Sequence, residues 1–132
     1  MFFLVILSCS VFPTFGQKVV TTTQVNGTWR KGEDEIKILA LGHRKLKVEY
    51  AGIFIYKYKG DPIANLGEAK GFALINGTTA NFTDAKKPNC KMTLDFVGKK
   101  LNVTNNGCVF GLNVTSNGTY KKTRSKKPKF DW

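Results

Sequence analysis

The residues able to do chemistry are few. The sequence holds one histidine, His43, beside a glycine at an evident turn. With no second histidine it completes neither a metal site nor a serine–histidine pair, and it reads as a surface residue. Glu33, Asp34 and Glu35 are consecutive in a turn, so their carboxyls diverge and read as solvated charges rather than as an acid/base pair. Asp95, between Leu94 and Phe96 on the polar parity, reads as exposed. There is no Gly-rich phosphate loop opening a helix, no Cys-x-x-Cys and no His-Glu-x-x-His. This inventory points away from an enzyme, and no cofactor or metal is expected.

Positive charge, by contrast, is abundant. Lys and Arg number 21 against 9 Asp and Glu, a formal net charge of +12. Its densest run is 121–132, where Lys121, Lys122, Arg124, Lys126, Lys127 and Lys129 face one acid, Asp131, and Trp132 ends the chain. Such a run reads as an anion-binding arm. Sulfated glycans, phosphorylated envelope polymers and anionic membranes suit the surplus, and nucleic acid only non-specifically.

The elements that must position these charges start after a leader. Residues 1–16 combine an apolar run, Met1 to Phe12, with Pro13-Thr-Phe-Gly16. Thr14 and Gly16 suit a signal peptidase, so cleavage is expected before Gln17 and the protein is expected outside the cell, with no transmembrane anchor. A rival reading makes Ile6-Leu-Ser-Cys9 a lipoprotein box, with fewer apolar residues before the cysteine than such leaders carry. Removing the leader removes Cys9 and leaves Cys90 and Cys108. In an exported chain that pair reads as one disulfide, against the alternative of two buried free thiols.

From Cys90 onward the sequence alternates with period two. Cys90, Met92, Leu94 and Phe96 share a face, Leu101 and Val103 continue it, and Cys108, Phe110, Leu112 and Val114 follow as an expected third strand. Upstream, a first strand is predicted to begin with Asn26–Arg30, and others at Ile36–Leu41, Arg44–Tyr50, Ile53–Lys59, Glu68–Ile75 and Thr79–Thr83. Ala51-Gly52 is expected to turn, and Gly60–Gly67 and Asp84–Asn89 to be loops, with Pro62 arguing against a central strand. Asn76-Gly77 is a favoured hairpin dipeptide. Phe54, Tyr56 and Tyr58 are expected to face inward, and 17–25 to be an extended entry into the barrel or a loose end. No segment sustains a period near 3.6, so the class is all-β: a small antiparallel β-barrel of about eight short strands over 17–120, with a β-sandwich as the alternative and 121–132 as a basic tail.

Six Asn-x-Thr sequons occur, at Asn26, Asn76, Asn81, Asn102, Asn113 and Asn117. Asn-Gly turns followed by a strand threonine explain Asn26, Asn76 and Asn117. The other three sit on the outward parity, where a glycan fits, and a secreted glycoprotein is expected.

Gly27-Thr28-Trp29 resembles the Gly-x-Trp opening of calycin-type barrels, the lipocalin and avidin groups. That resemblance implies that Trp29 closes one barrel end and that a basic residue of the last strand, Lys121, Lys122 or Arg124, covers it. Gly67–Gly71, Cys90, Cys108–Val114 and Gly118–Tyr120 resemble small exported bacterial barrel domains, some found beside lysozyme-inhibitor-like domains. This chain departs from them in its sequons and its strong positive charge, and like-charge repulsion disfavours a basic lysozyme as partner. The leading expectation is a secreted binding protein whose cationic surface and tail engage an anionic extracellular polymer or surface. The alternatives are an inhibitor of a secreted hydrolase, acting through the Gly60–Gly67 and Asp84–Asn89 loops, and a carrier of a small apolar ligand.

Overall fold

A computed structural model describes residues 20–132. The expected leader, with its cleavage site and Cys9, lies outside them. One helical turn, α1 (Thr22–Val25), precedes eight strands: β1 (Gly27–Lys31), β2 (Asp34–Gly42), β3 (Lys45–Tyr58), β4 (Asp61–Asn76), β5 (Thr79–Asp84), β6 (Lys91–Val97), β7 (Lys100–Asn106) and β8 (Gly118–Arg124). Each pairs antiparallel with the next, and β1 also pairs with β8, so the sheet closes as a barrel without crossovers. The all-β barrel is as expected, and closure leaves the wall no free edge.

Parity decides what fills the barrel. Trp29, Ile36, Ile38, Leu46, Val48, Tyr50, Phe82, Met92, Leu94, Phe96, Leu101 and Tyr120 are buried, and Ala69, Ala73 and Ala80 supply the small inward positions on β4 and β5. Large and small inward residues together fill a narrow barrel with side chains. Trp29 meets Phe96 edge to face, ring centroids 5.7 Å apart. This filled interior leaves the carrier reading without an observation in its favour.

Five expectations about the fold need correction. Residues 22–25 are helical rather than extended, because the Thr21 hydroxyl accepts the Gln24 N–H at 3.2 Å and Val25 is buried against the core. Ala51-Gly52 is no turn: β3 runs straight through, and Gly52 sits opposite Gly67 on β4. A Cβ at Gly52 would run into the Tyr50 phenol and lie 2.8 Å from the Val114 side chain, and one at Gly67 would lie 2.7 Å from Phe110. The glycine pair therefore admits a loop laid across the barrel mouth. The expected Gly60–Gly67 loop is the first half of β4, with Pro62 beside the hairpin tip. Lys59 and Gly60 both take positive φ, as a two-residue turn between right-twisted strands requires.

The fourth correction concerns the aromatics. Phe54, Tyr56 and Tyr58 keep the inward parity but are exposed. β2 stops pairing with β3 at Ala51, and β5 first meets β4 at Gly71, so beyond Gly52 there is no barrel left to point into. The fifth concerns Cys108–Val114, which is a loop rather than a strand. Asn105 binds the Cys108 main chain twice, through Nδ2 to its carbonyl and Oδ1 from its N–H, each at 2.8 Å. The Cys90–Cys108 disulfide then fixes the start of this loop beside β6. Phe110 and Val114 turn down onto the core, while Leu112 is left exposed.

Candidate anion-binding face

The two barrel ends are closed by the same device. At the end where α1 sits, Lys122 of β8 lies over the Trp29 ring of β1, Nζ 4.9 Å from its centroid. The same ammonium donates to the α1 carbonyls of Thr23 and Gln24 at 3.0 and 2.7 Å, and Trp29 Nε1 donates to Val25 O at 3.2 Å. Of the three basic residues considered for this cover, the structure brings Lys122 to the tryptophan. Burial lowers its pKa. At the opposite end Lys31 of β1 lies 5.3 Å over the Tyr120 ring of β8 and donates to the carbonyls of Thr115 and Asn117. Tyr120 Oη donates to Ser116 O at 2.8 Å. Burial, then Tyr50 and Asp34, pushes the Tyr120 phenol far up, and burial with Asp34 does the same to Tyr50. Lys31 was not singled out in the sequence, where it stands outside the basic run.

The remaining basic residues of the run point outward. β8 continues past Tyr120, so Lys121, Lys122 and Arg124 belong to the wall and the tail proper begins after Arg124. Lys121 lies opposite Lys100 of β7 on one side and opposite Arg30 of β1 on the other. Strand spacing puts these three cations across about 10 Å of wall. Like charges directly opposite one another are destabilising in a sheet. Among the described residues only Arg30 of the three has an acidic partner, Glu35 at 2.7 Å. Beside this row a groove of about 630 Å³ is lined by Lys99, Lys100, Lys121 and Lys122, with Gln24, Trp29 and Thr123 among its other walls and no acidic side chain.

A second groove, about 330 Å³, adjoins it, lined by Arg30, Lys37, Arg124, Lys126, Lys127 and Lys129, with Glu35 the one carboxylate. It exists because the tail is laid along the barrel rather than left as an arm. Lys37 Nζ donates to Lys129 O at 3.2 Å. Lys47 Nζ sits 4.3 Å from the Trp132 ring, whose edge meets Phe72 at 5.8 Å. Asp131 approaches Lys70 at 3.7 Å. The run therefore contributes five exposed cations to one face spanning β7, β8, β1 and β2, namely Lys121, Arg124, Lys126, Lys127 and Lys129.

The other candidates fall elsewhere. His43 is exposed in the β2–β3 turn. Asp34 is not solvated as expected: it is buried, its Oδ1 accepts the Ile53 N–H at 3.0 Å, and Lys31 lies 3.5 Å from Oδ2. That carboxylate, on the first residue of β2, takes up a β3 N–H just beyond the point where main-chain pairing between the two strands stops. Asp95 is half-buried and accepts from the Thr78 and Thr79 hydroxyls. Asn76, Asn81, Asn102, Asn113 and Asn117 are exposed, Asn113 on the loop rather than a strand. Asn26 is buried, its Oδ1 accepting Ala40 N–H at 2.6 Å, which leaves no open face for a sugar there. Among the described residues no three His, Cys, Asp or Glu side chains converge as a metal site, and no helix is long and apolar enough to cross a membrane.

Nothing among known proteins settles the matter. No protein-family model, curated protein or solved structure matches this chain.

Proposed function

We propose that this is a secreted, non-enzymatic binding protein whose outward cationic face engages an anionic extracellular polymer, such as a sulfated glycan. The observation that carries the reading is the row Lys100–Lys121–Arg30, set strand against strand beside a groove lined by Lys99 and no carboxylate. An arrangement that costs the sheet local repulsion is relieved when a polyanion lies across it. The Cys90–Cys108 disulfide fits folding in an oxidising compartment. The five exposed sequon asparagines fit a glycoprotein. The Trp29–Lys122 closure supports kinship with calycin-type barrels, since it is the contact that the Gly-x-Trp resemblance implies.

The test is elution from immobilised heparin over a salt series, for the parent chain and for the combined Lys99→Gln, Lys100→Gln, Lys121→Gln variant. Removing three contacts is expected to lower the slope of log affinity against log salt by about two to three, by analogy with counterion release from nucleic acids. A triple variant that elutes with the parent would sink the reading.

A further inference from the structure

The long β3–β4 hairpin leaves the barrel wall at Gly52 and Gly67, and among the described residues no strand pairs with either edge of its outer part, Ile53–Tyr58 paired with Asp61–Leu66. Cross-strand register sorts its side chains onto two faces. One carries Phe54, Tyr56 with Ile63, and Tyr58; the other carries Ile53 with Leu66, and Ile55 with Ala64. Both faces are apolar and open. Ile55, Tyr58 and Leu66 are 58, 56 and 66 % exposed, and Phe54 and Tyr56 stack on each other at 6.4 Å. Leu112, on the loop that Asn65 Nδ2 holds by its carbonyl at 2.9 Å, adds a further exposed apolar side chain beside the hairpin.

We infer that this hairpin docks the protein on an anionic lipid bilayer, lying in the interface with Tyr56 and Tyr58 at headgroup level. The site is at the opposite end of the barrel from the Lys99–Lys121 groove and does not depend on polymer binding there. Four features choose the bilayer over another protein or a second copy of this chain. A partner docked on one face would leave the other apolar face in water, whereas the interface surrounds both. The tip sets Lys57 directly opposite Pro62, with Lys59 next to it; lysine and proline at a strand edge oppose pairing with an added strand. Lys57 and Lys59 outnumber the one tip carboxylate, Asp61, and Lys86 and Lys87 are exposed on the neighbouring loop at the same end. Cations beside an apolar surface match acidic headgroups, and tyrosines favour the interfacial layer. The free edges also set the depth. Unpaired backbone N–H and C=O groups do not enter hydrocarbon, so the hairpin lies in the interface and does not span.

The experiment is co-sedimentation of the full chain with phosphatidylcholine–phosphatidylserine vesicles and with pure phosphatidylcholine at physiological ionic strength. The parent is expected to bind the mixed vesicles and to favour them over the neutral ones. Replacing Ile55, Tyr56 and Tyr58 together by Ser is expected to lower the partition coefficient at least about tenfold, through lost apolar burial, while heparin elution stays at the parent position. An I55W variant, which keeps the apolar surface, is expected to show tryptophan emission moving to shorter wavelength on the mixed vesicles. Absence of binding by the parent, binding unchanged in the triple-Ser variant, or an I55W emission that does not move would each overturn the proposal. So would a parent that is dimeric in solution and becomes monomeric on the triple-Ser substitution, which would make the hairpin a self-interface. None of these results touches the heparin reading, whose variants leave the hairpin intact.

Discussion

The two ends of the barrel use one pair of strands in opposite senses. At one end β1 supplies the aromatic and β8 the lysine, Trp29 under Lys122; at the other β8 supplies the aromatic and β1 the lysine, Tyr120 under Lys31. In both cases the ammonium also binds the carbonyls of the segment that lies over the mouth, α1 at one end and the Thr115–Asn117 stretch at the other. The difference lies in what else secures the cover. The α1 end has one helical turn and the Trp29 indole bond. The other end has a long irregular loop held by a disulfide and by a glycine pair that lets it approach. Two lysines, Lys122 and Lys31, thus hold the fold together, and the exposed cations are those on the outer wall.

The comparison is broken most severely by removing the aromatics. Trp29→Ala and Tyr120→Ala are each expected to cost about 3–5 kcal/mol in urea denaturation, since both residues are fully buried. Near-parental stability in either variant would show that its end is not a closed core. The disulfide separates the ends. Replacing Cys90 and Cys108 by Ser is expected to cost about 3 kcal/mol and to raise amide exchange in 107–117 while α1 keeps its protection. Uniform loss of protection would remove the distinction.

Alkaline unfolding is a smaller, graded probe of the Tyr120 end. Folded-state values of Tyr50 and Tyr120 lie above the ordinary 10.0. The unfolded chain therefore loses these protons first, and the stability they hold is complete below about pH 10 and lost as pH rises beyond it. The slope is at most about 1.4 kcal/mol per pH unit per tyrosine. Lys122 has the opposite sign: its folded value is lowered, so its buried charge penalises the fold at neutral pH and ceases to do so as pH approaches 10.5. A stability curve that is flat above pH 10 would contradict the burial of the phenols. The smallest effects belong to the covering lysines. Lys122→Met and Lys31→Met are each expected to cost about 1–2 kcal/mol, because main-chain carbonyls lose their donor.

Much of the barrel was legible because period two is a local property. Met92–Phe96 and Leu101–Val103 lie in strands as read, and a hairpin follows Asn76, its two turn residues being Gly77 and Thr78. The same parity misled where a strand outran its neighbours. Phe54, Tyr56 and Tyr58 alternate as core residues do, and only the stopping points of β2 and β5 expose them. Cys108–Val114 alternates too, but side-chain bonds from Asn105 and the disulfide turn it across the mouth. Gly52 reads locally as a turn residue, whereas it marks the close approach of the Tyr50 phenol and Val114. The proposed anion-binding face was legible only as a charged run. Its partners Lys100 and Arg30 are distant in sequence and join Lys121 through register, and no local pattern reveals a register across β7, β8 and β1. Lys31 could have been found by asking which basic residue sits two positions past Trp29 on the inward parity.

Lys121 and Lys122 are adjacent in the sequence, carry the same charge, and are assigned opposite duties by the alternation of β8. The most direct measurement compares the salt concentration at which folded Lys121→Gln and folded Lys122→Gln leave immobilised heparin. Each variant loses one positive charge, so net charge cannot distinguish them. Lys121→Gln is expected to elute clearly earlier than the parent and Lys122→Gln close to it. Equal shifts, or a larger shift for Lys122→Gln, would contradict the outward face as the binding surface.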